Sequence, residues 1–405
     1  MSACIKRKYF LRQGMRILND IGQVRESTEQ VTHSASSPMC RVSKCRAVHQ
    51  NNSNNSTLLY INRQNSTKTT SHGTSFLCEE TPDNESASIS PGEKKRPRQR
   101  RGRSILERPG VFKLEQMSRE DVVHYLASQI VYNKDGIIGL NKPAGVGIHP
   151  ANNQDISDNI NLQDLLPSLS ELLGEKHLHF VKAPERDCSG VTLLASGPGI
   201  AMEIDQSLKK ARHQNIFTRR YWAVTVGVPK PLKGLIDVSL AEETRWNKQM
   251  VVIKKDASKQ SVRNGHIKKT LTQYRVLDHD KHCALVELQP LKAYRHQLQV
   301  HMTTKLCCIL GDHLYSSRVQ SVLGVPVLVS TEQSKPSVQV LSRELLHRMN
   351  LTSGRMPFVP LHLHCAAITL PNWQNRADLT ITAPMPKYFW KTLKLLGLYQ
   401  PQPLS

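Results

Sequence analysis

Residues 181–196, VKAPERDCSGVTLLAS, combine a charged turn, a Ser-Gly pair and a continuous apolar run. The apolar run predicts a buried strand, because short apolar and β-branched segments bounded by turn residues fit the interior of a sheet. The turn before it carries two carboxylates, Glu185 and Asp187. Loops held by a rigid scaffold carry many catalytic groups. The stretch therefore predicts an active-site loop in which Glu185 or Asp187 performs chemistry.

The segments around this loop predict short strands, hairpin-type turns and intervening helices. Residues 130–150, IVYNKDGIIGLNKPAGVGIHP, predict two strands across an Asp-Gly turn and then a Pro/Gly loop. Ser118 is the predicted N-cap of a preceding helix, with Asp121 at its third position. Strands are also predicted in YWAVTVG, CALVELQPL and LHLHCAAITLP, helices in NLQDLLPSLSELLG and PKYFWKTLKLLGL, and an amphipathic segment in QLQVHMTTK. This order favours an α+β fold with a largely antiparallel sheet over a Rossmann pattern.

The composition indicates a polyanionic partner. The 405 residues carry a formal net charge of +22. Residues 1–110 hold 19 Lys and Arg against 9 Asp and Glu, and the rest hold 36 against 24, so the excess is spread along the chain. Such a chain commonly meets RNA, ribosomal surroundings or anionic lipid, although a solvated basic surface has the same composition. No apolar run approaches the roughly 18–20 residues of a membrane-spanning helix, so we expect no membrane span.

Cysteine and histidine spacing predicts no metal site. Nine cysteines are scattered without a C-x-x-C pair, and their odd number argues against a closed disulfide framework, so we expect a reducing compartment. His362 and His364 share one strand face, but no third ligand lies at suitable spacing, which favours core or edge histidines. Cys307 and Cys308 are expected to be buried small residues. LGDHLY, residues 310–315, predicts a turn with an Asp side-chain cap.

The chain divides into four predicted parts. The first 19 residues hold five basic side chains and no acidic one, which is typical of a mitochondrial transit peptide, here placed at 1–25, although a disordered basic terminus would look alike. Residues 26–114 predict a disordered basic linker, because they cannot bury enough apolar surface to offset the entropy of ordering. The linker contains KKRPRQRRGR, which could hold RNA phosphates, act as a nuclear-type signal or stay solvated. Residues 115–395 predict the catalytic-type domain, and 396–405 a tail.

Several motifs in one register resemble a known enzyme family. The order and spacing of the RluA-type pseudouridine synthases are matched by NKPAGVGIHP, ERDCSGVTLLAS, RRYWAVTVG, HQLQVHM with ILGDHLYSSR, and LHLHCAAITLP. The resemblance covers residues 115–395 and implies the pseudouridine synthase fold: a mixed, largely antiparallel sheet with flanking helices and a central active-site cleft. It also implies a cofactor-free isomerisation of uridine in RNA. In that reaction a carboxylate attacks the nucleoside, the N-glycosidic bond breaks, the uracil turns, and its C5 joins the ribose.

This reaction needs a carboxylate near the sugar, an aromatic platform for the flipped base, and cations around the pocket mouth. The resemblance gives Glu185 the position of the catalytic carboxylate and Tyr221 that of the active-site tyrosine. Arg295 is the third predicted catalytic residue. The predicted substrate-binding residues are Lys142, His149, Lys182, Arg186, Arg219, Arg220, His296 and Gln297.

Two positions depart from the family pattern. The catalytic Asp of H-R-L-D-x-x-T-S-G is here Glu185, whose carboxylate extends one methylene further. A displacement on the order of 1 Å can lower a rate about a hundredfold. The Arg of T-G-R-x-H-Q, which pairs with that Asp, is here Tyr294, and Arg295 follows one place later. On a strand this shift would turn Arg295 to the opposite face, whereas a loop or bulge could return it.

Two functions are compatible with these residues. The favoured one is a pseudouridine synthase of the mitochondrial matrix that acts on mitochondrial mRNA or rRNA through Glu185. The alternative is an RNA-binding member of the fold that has lost catalysis and supports RNA stability or ribosome assembly, together with mitochondrial RNA-processing or ribosome-assembly proteins. A small-molecule glycosidase is less favoured, because paired carboxylates are not evident and the charge indicates polyanions.

We expect a fluorescent reporter fused to residues 1–40 to enter mitochondria, because an Arg/Lys-rich, acid-poor amphipathic helix suits import across an energised membrane. Microscopy with a mitochondrial marker measures this. In the matched control the five basic residues among the first 19 are replaced by Gln, and that reporter should stay in the cytosol. A wild-type reporter found in the cytosol or nucleus would contradict the prediction.

Overall fold

The computed structural model describes part of the chain, namely residues 103–107, 111, 113, 116–150, 160–399 and 401. The predicted transit peptide lies outside the described residues, as does nearly all of the predicted linker with its basic run. Within the described part, no helix has both the length and the apolar character needed to cross a membrane.

The described residues form an α+β structure. Its strands are β1 (Ile130–Lys134), β2 (Ile137–Lys142), β3 (His179–Lys182), β4 (Ser189–Ala195), β5 (Arg219–Val226), β6 (Lys233–Arg245), β7 (Lys248–Lys254), β8 (Lys268–His279), β9 (Cys283–Pro290), β10 (Cys308–Ile309), β11 (Val319–Val322), β12 (Val325–Leu328), β13 (Leu363–Leu370) and β14 (Leu379–Thr382). Its helices are α1 (Arg119–Ser128), α2 (Leu162–Leu172), α3 (Pro198–His213), α4 (Lys259–Arg263), α5 (Gln297–Thr304), α6 (Arg343–Arg348) and α7 (Lys387–Leu395). Short 3-10 turns lie at Ser316–Arg318, Ser353–Phe358 and Trp373–Asn375.

One mixed sheet of 12 strands organises the described chain, in the order β1-β2-β4-β13-β5-β9-β8-β6-β7. Strand β3 pairs with β4, β10 with β5 and β14 with β13, while β11 and β12 form a separate hairpin. The pairing of β4 with β13 is parallel, and the other described pairings are antiparallel. The predicted fold class, with its largely antiparallel mixed sheet, is confirmed.

The centre of the sheet is apolar on both faces. Along β5, Tyr221 and Ala223 enter a cluster with α3 and α5, whereas Trp222 and Val224 enter a second cluster with α6 and α7. Successive side chains of a strand point to opposite faces, so a strand covered on both sides reads as a continuous apolar run. This burial explains why YWAVTVG and VTLLAS are apolar throughout.

The parallel join between β4 and β13 depends on a glycine. Gly190 pairs with Cys365 and has φ +115°, and a Cβ built on Gly190 would lie 2.1 Å from the Cys365 carbonyl oxygen. Beside it, Ser189 Oγ and His364 Nδ1 lie 3.0 Å apart. Only glycine allows this approach of the two backbones. The Ser-Gly pair of the opening stretch thus fixes the loop at 183–188 to the middle of the sheet.

Several local predictions are confirmed. Ser118 caps α1, where its Oγ accepts from the Asp121 N–H at 3.1 Å. In the predicted LGDHLY turn, Asp312 Oδ1 accepts from the N–H groups of Leu314 and Tyr315 at 3.1 and 3.0 Å.

The histidines and cysteines that were expected in the core are buried. His362 and His364 are fully buried, and the described residues contain no cluster of His, Cys, Asp and Glu suited to a metal ion. His362 Nε2 lies 2.8 Å from Thr392 Oγ1. Cys307 and Cys308 are buried free thiols. The two histidines therefore belong to the core.

Helix α5 differs from its predicted amphipathic character. All but one of its eight residues are buried, because it packs against β6, β7, β8 and β10. Its polar residues are tolerated because they bond to neighbours: Gln297 Nε2 donates to Thr272 Oγ1 at 2.9 Å, and His301 Nε2 lies 3.0 Å from Thr270 Oγ1. A hydrogen-bonded polar side chain can lie inside a core, so the polar stripe of α5 does not mark a solvent face.

Packing extends beyond the predicted domain bounds at both ends. Ile105, inside the range predicted as linker, is fully buried in the cluster that contains Trp222. The Ser104 carbonyl accepts from Lys391 Nζ at 2.6 Å. Leu396 and Leu398, in the range predicted as tail, are buried in the same cluster. Buried residues of one cluster therefore lie on both sides of the predicted range 115–395.

We expect Gly190→Ala to lower the free energy of unfolding by more than about 4 kcal/mol, because its Cβ would meet the Cys365 backbone. Gly174→Ala is the matched control, since Gly174 also has a positive φ (+69°) but no atom within 4 Å of the added Cβ. The control should cost only about 1–2 kcal/mol for the left-handed conformation. Urea unfolding measures both, and equal losses would contradict the prediction.

Candidate active site

Glu185 lines a cleft beside the centre of the sheet. Tyr221 of β5 contributes to the same cleft, as do Tyr294 and Gln297 from the start of α5. The remaining walls come from Ala183, Pro184, Asp187, Cys188, Pro290, Ala293, Leu298, Gln299, Leu361 and Leu363. Mostly apolar walls with a few convergent polar groups are typical of a small-molecule or base-binding pocket.

The Glu185 carboxylate is held by His296. Its Oε1 accepts from the His296 main-chain N–H at 2.7 Å, and its Oε2 lies 3.6 Å from His296 Nε2. His296 caps α5 in the left-handed conformation, with φ 50°. The N-terminal end of a helix presents free N–H groups and favours negative charge. The position therefore suits an ionised carboxylate.

The surroundings raise the pKa of Glu185 to about 7. Burial by the cleft walls is the largest cause, and the negative charge of Asp187 adds to it. The His296 N–H and the charges of Arg295 and Lys142 oppose the rise. The side chain is 43% exposed, but this exposure faces the cleft, where the walls exclude much of the water that solvates a free carboxylate. Near neutral pH the group is divided between acid and base, a range that suits catalysis.

Lys142 supports the Glu185 loop from beneath. Its side chain is fully buried, and Nζ donates to the carbonyls of Pro143, Val146 and Arg186 at 3.1, 2.9 and 3.1 Å. Arg186 Nε donates in turn to the Gly145 carbonyl at 3.2 Å. Both residues were predicted to bind substrate, but these contacts tie two loops together. An RNA contact by Lys142 would require its carbonyl bonds to be broken.

Tyr221 forms an aromatic wall of the cleft and is 6% exposed. Burial raises the pKa of Tyr221 well above its ordinary value, and the neighbouring Cys365 thiol adds to the rise. Arg219 lies two residues earlier on β5 and so shares its face. The phenol of Tyr221 is therefore neutral at physiological pH.

Three predicted substrate-binding residues lie apart from the carboxylate. Arg220 points to the opposite face of β5 from Tyr221, and its Nε lies 3.4 Å from Glu287 Oε2. Lys182 Nζ lies 3.3 Å from Asp205 Oδ1. His149 is exposed, and its Nδ1 lies 2.7 Å from Gln163 Oε1. The structure gives each of these side chains a protein partner outside the cleft.

Arg295 and Tyr294 both interact with Glu242 of β6. Arg295 Nη1 lies 3.8 Å from Glu242 Oε2, and burial and the charge of the same carboxylate raise the pKa of Tyr294. The charge of Arg295 still lowers the pKa of Glu185. Among the Lys, Arg and His side chains that the structure describes, only His296 lies within ion-pair distance of Glu185. Arg295 thus acts on the carboxylate through space and not by contact.

The sequence did not indicate Tyr315, which contacts His296, the residue that holds the Glu185 carboxylate. The Tyr315 hydroxyl lies 2.8 Å from His296 Nδ1. Tyr315 was part of the predicted turn, and the Asp312 cap could have indicated a ring held in place. The apolar walls Leu361 and Leu363 were also missed. The alternation of residues in LHLHC predicted a strand, but it did not predict which side chains would face the Glu185 loop.

Comparisons with known proteins agree with this arrangement. Residues 136–304 match the family described as RNA pseudouridylate synthase. The Homo sapiens protein "Mitochondrial mRNA pseudouridine synthase RPUSD3" is 39% identical over 285 residues, which cover 70% of this chain and 80% of that protein. This chain belongs to the RNA pseudouridylate synthase family. The Mus musculus protein of the same description is 36% identical over 295 residues, covering 72% of this chain and 84% of that protein.

A solved pseudouridylate synthase structure shares the fold. "Human RNA Pseudouridylate Synthase Domain Containing 4" superposes with a TM-score of 0.55 at 26% identity, covering 70% of this chain and 98% of that chain. Family membership confirms the predicted pseudouridine synthase fold and the predicted enzyme class, an isomerase acting on RNA. The roles of Glu185, Tyr221 and Arg295 within this pseudouridine synthase site stay predictions.

We expect single-turnover pseudouridine formation to slow as pH falls through about 7, because a carboxylate acts as a nucleophile only when ionised and the pKa of Glu185 is raised to about 7. Asp187→Asn removes a negative charge that raises this pKa, so its midpoint should move to lower pH. Asp237→Asn, at an exposed position of β6, is the control and should not move it. A rate that is flat from about pH 5 to pH 9 would contradict the assignment.

Proposed function

We propose that this protein is a mitochondrial pseudouridine synthase that isomerises uridine in mitochondrial mRNA or rRNA, with Glu185 as the attacking carboxylate. The observation that carries the proposal is the Glu185 carboxylate, held at 2.7 Å by the His296 N–H in a cleft that Tyr221 also lines. The mitochondrial assignment is supported by the relatives described as mitochondrial mRNA pseudouridine synthases and by the basic, acid-poor start of the chain. We place the transit peptide at 1–25, and the matrix is the compartment that such a peptide serves.

The reaction can be written with the groups of the cleft. A uridine flipped out of its stack enters, and its base stacks on the wall that includes Tyr221. A Glu185 oxygen attacks the ribose C1′, the C1′–N1 bond breaks, and the uracil leaves with the bonding electron pair. After the uracil turns, C5 attacks C1′ and expels the carboxylate. The proton lost from C5 is replaced by one gained at N1, so the product is an isomer and no cofactor is consumed.

A basic rim at the cleft supports RNA as the substrate. Lys292 directly precedes Ala293 and Tyr294, which line the cleft. Burial lowers the pKa of Lys292, and the positive charges of Lys268 and Arg212 lower it further, so these cations act on one another electrostatically. Cations of this kind suit the phosphates flanking a flipped nucleotide. With a net charge of +22, the chain is also attracted to RNA at longer range.

The competing function, RNA holding without catalysis, is favoured by one observation. Among the described residues the Glu185 carboxylate has no arginine or lysine within ion-pair distance, where the family pattern supplies an arginine. When the pKa of a carboxyl group is raised, a fraction of the molecules carries it protonated at neutral pH, and that fraction cannot act as a nucleophile. The two functions differ in whether purified protein makes product.

We expect Glu185→Gln to reduce single-turnover pseudouridine formation on bound mitochondrial RNA fragments by more than about a thousandfold, because it removes the attacking charge and keeps the shape. RNA affinity should stay nearly unchanged. Asp187→Asn is the matched control and should cost far less, since Asp187 is exposed and bonds to no group that holds Glu185.

Pseudouridine mapping of mitochondrial RNA with and without the protein identifies the target transcripts. If wild type and Glu185→Gln bind RNA equally and neither forms pseudouridine on any mapped fragment, the enzyme proposal fails and the RNA-holding function replaces it.

A further inference from the structure

Tyr315 lies at the end of a chain of hydrogen bonds that leads to the Glu185 carboxylate. Its side chain is fully buried. The Tyr315 hydroxyl oxygen accepts from the Val251 N–H of β7 at 2.9 Å and lies 2.8 Å from His296 Nδ1. The two rings meet edge to face, with centroids 5.5 Å apart and planes at 70°. Backbone, phenol and imidazole are therefore in a fixed arrangement.

The direction of the bond between Tyr315 and His296 follows from proton counting. The Val251 N–H can only donate, so the phenol oxygen is an acceptor there. If His296 Nδ1 also donated to this oxygen, the phenol proton would have no acceptor among the described residues. Leaving a buried donor unsatisfied costs about 1–3 kcal/mol. The phenol therefore donates to Nδ1, and Nδ1 carries no proton.

His296 is neutral in this position. Burial lowers the pKa of His296 to about 4, and the charge of Arg295 lowers it as well. A neutral imidazole has one N–H, which must then lie on Nε2. Nε2 is the atom that faces Glu185 Oε2, at 3.6 Å. The opposite tautomer would turn a lone pair toward the carboxylate and repel it.

We propose that Tyr315 is a positioning residue for the reaction: it holds His296 in the Nε2–H tautomer, so that the main-chain N–H and the Nε2–H of His296 face the two oxygens of Glu185. This inference rests on the proposed function, in which Glu185 attacks the nucleoside. It assigns His296 to the carboxylate and not to direct contact with the RNA.

The other charged groups around Glu185, His296 and Tyr315 do not replace the contact of His296 with the Glu185 carboxylate. Asp187 in the same loop, Arg295 before α5 and buried Lys142 act on Glu185 through space. Asp312 and Arg318 are the further charged groups near Tyr315: Asp312 Oδ1 accepts from the N–H groups of the turn, and Arg318 Nε donates to the Val329 carbonyl at 3.3 Å. The two N–H groups of His296 are therefore the groups that orient both carboxylate oxygens, and they add no net charge.

The first test reads the tautomer without RNA or activity. We expect ¹⁵N NMR of the full-length wild type at neutral pH to give His296 a protonated Nε2 and a bare Nδ1, with the resonances assigned by their loss in His296→Gln. In Tyr315→Phe the Nδ1 resonance should shift toward a mixture of tautomers. A wild-type spectrum with the proton on Nδ1 overturns the inference while leaving the proposed function intact.

The second test is the pH profile of single-turnover pseudouridine formation. Tyr315→Phe should move the midpoint upward by roughly half to one pH unit, because the Glu185 anion loses an oriented N–H. Tyr274→Phe is the matched control: its buried hydroxyl donates to the Pro231 carbonyl at 2.9 Å, outside the cleft lining. A midpoint unmoved in Tyr315→Phe, or moved equally in both variants, overturns the positioning role.

A third comparison applies should Tyr315→Phe fold poorly. The Gln amide nitrogen can occupy the place of Nε2, whereas the Asn amide lies near the place of Nδ1. We expect His296→Gln to stay within about tenfold of the wild-type rate and His296→Asn to be at least about tenfold slower than His296→Gln. A purely structural role gives the reverse order, because Asn adopts the left-handed conformation of residue 296 more readily than Gln. Inactivity of wild type on every RNA would instead contradict the proposed function.

Discussion

The buried ammonium group of Lys142 constrains the site more than any other interaction, because losing its hydrogen-bond partners would leave a charge unsolvated inside the protein. A charge removed from water costs several kcal/mol unless it is hydrogen-bonded or paired. Three carbonyls from two loops solvate this ammonium, and the carbonyl of Arg186 also accepts from the Gly145 N–H at 2.8 Å. Burial lowers the pKa of Lys142 to about 8, against the nearby charges of Asp187 and Glu185. Moving the Glu185 loop would therefore deprive the Lys142 ammonium of the Arg186 carbonyl.

Opposed environmental effects set the pKa of Glu185. The cleft walls and Asp187 favour the protonated acid, whereas the His296 N–H, Arg295 and Lys142 favour the anion. A direct arginine contact would shift this balance strongly to the anion, because an opposite charge within about 4–6 Å commonly lowers a carboxyl pKa by 1–3 units. Neutral N–H donors orient the carboxylate with a smaller effect on its ionisation. The site thus combines fixed geometry with a pKa of about 7.

Local patterns predicted the elements whose residues follow a simple sequence signal, such as the Asp-Gly hairpin of β1 and β2 and the apolar strand β4. They did not predict the β6–β7–β8 ribbon, because its exposed and buried residues alternate irregularly. Glu185 and Tyr221 were found because each lies within a short motif. The burial of Lys142, which was predicted only to bind substrate, could not be foreseen, since it depends on a loop 44 residues away. Tyr315 was missed for the same reason, because its contacts join β7 to the start of α5.

The two departures from the family pattern are connected through the geometry of the cleft. With Tyr294 in the place of the arginine, its side chain lines the cleft, and Arg295 approaches Glu242 at 3.8 Å. Neither side chain then makes an ion pair with the carboxylate at position 185. The extra methylene of Glu, relative to Asp, extends that carboxylate toward the main-chain N–H of His296, the N-cap of α5, from which it accepts at 2.7 Å. A shorter side chain on the same backbone would fall short of this N–H. Where the family pattern has an arginine, the carboxylate at position 185 accepts from the His296 main-chain N–H, and His296 Nε2 lies 3.6 Å from its other oxygen.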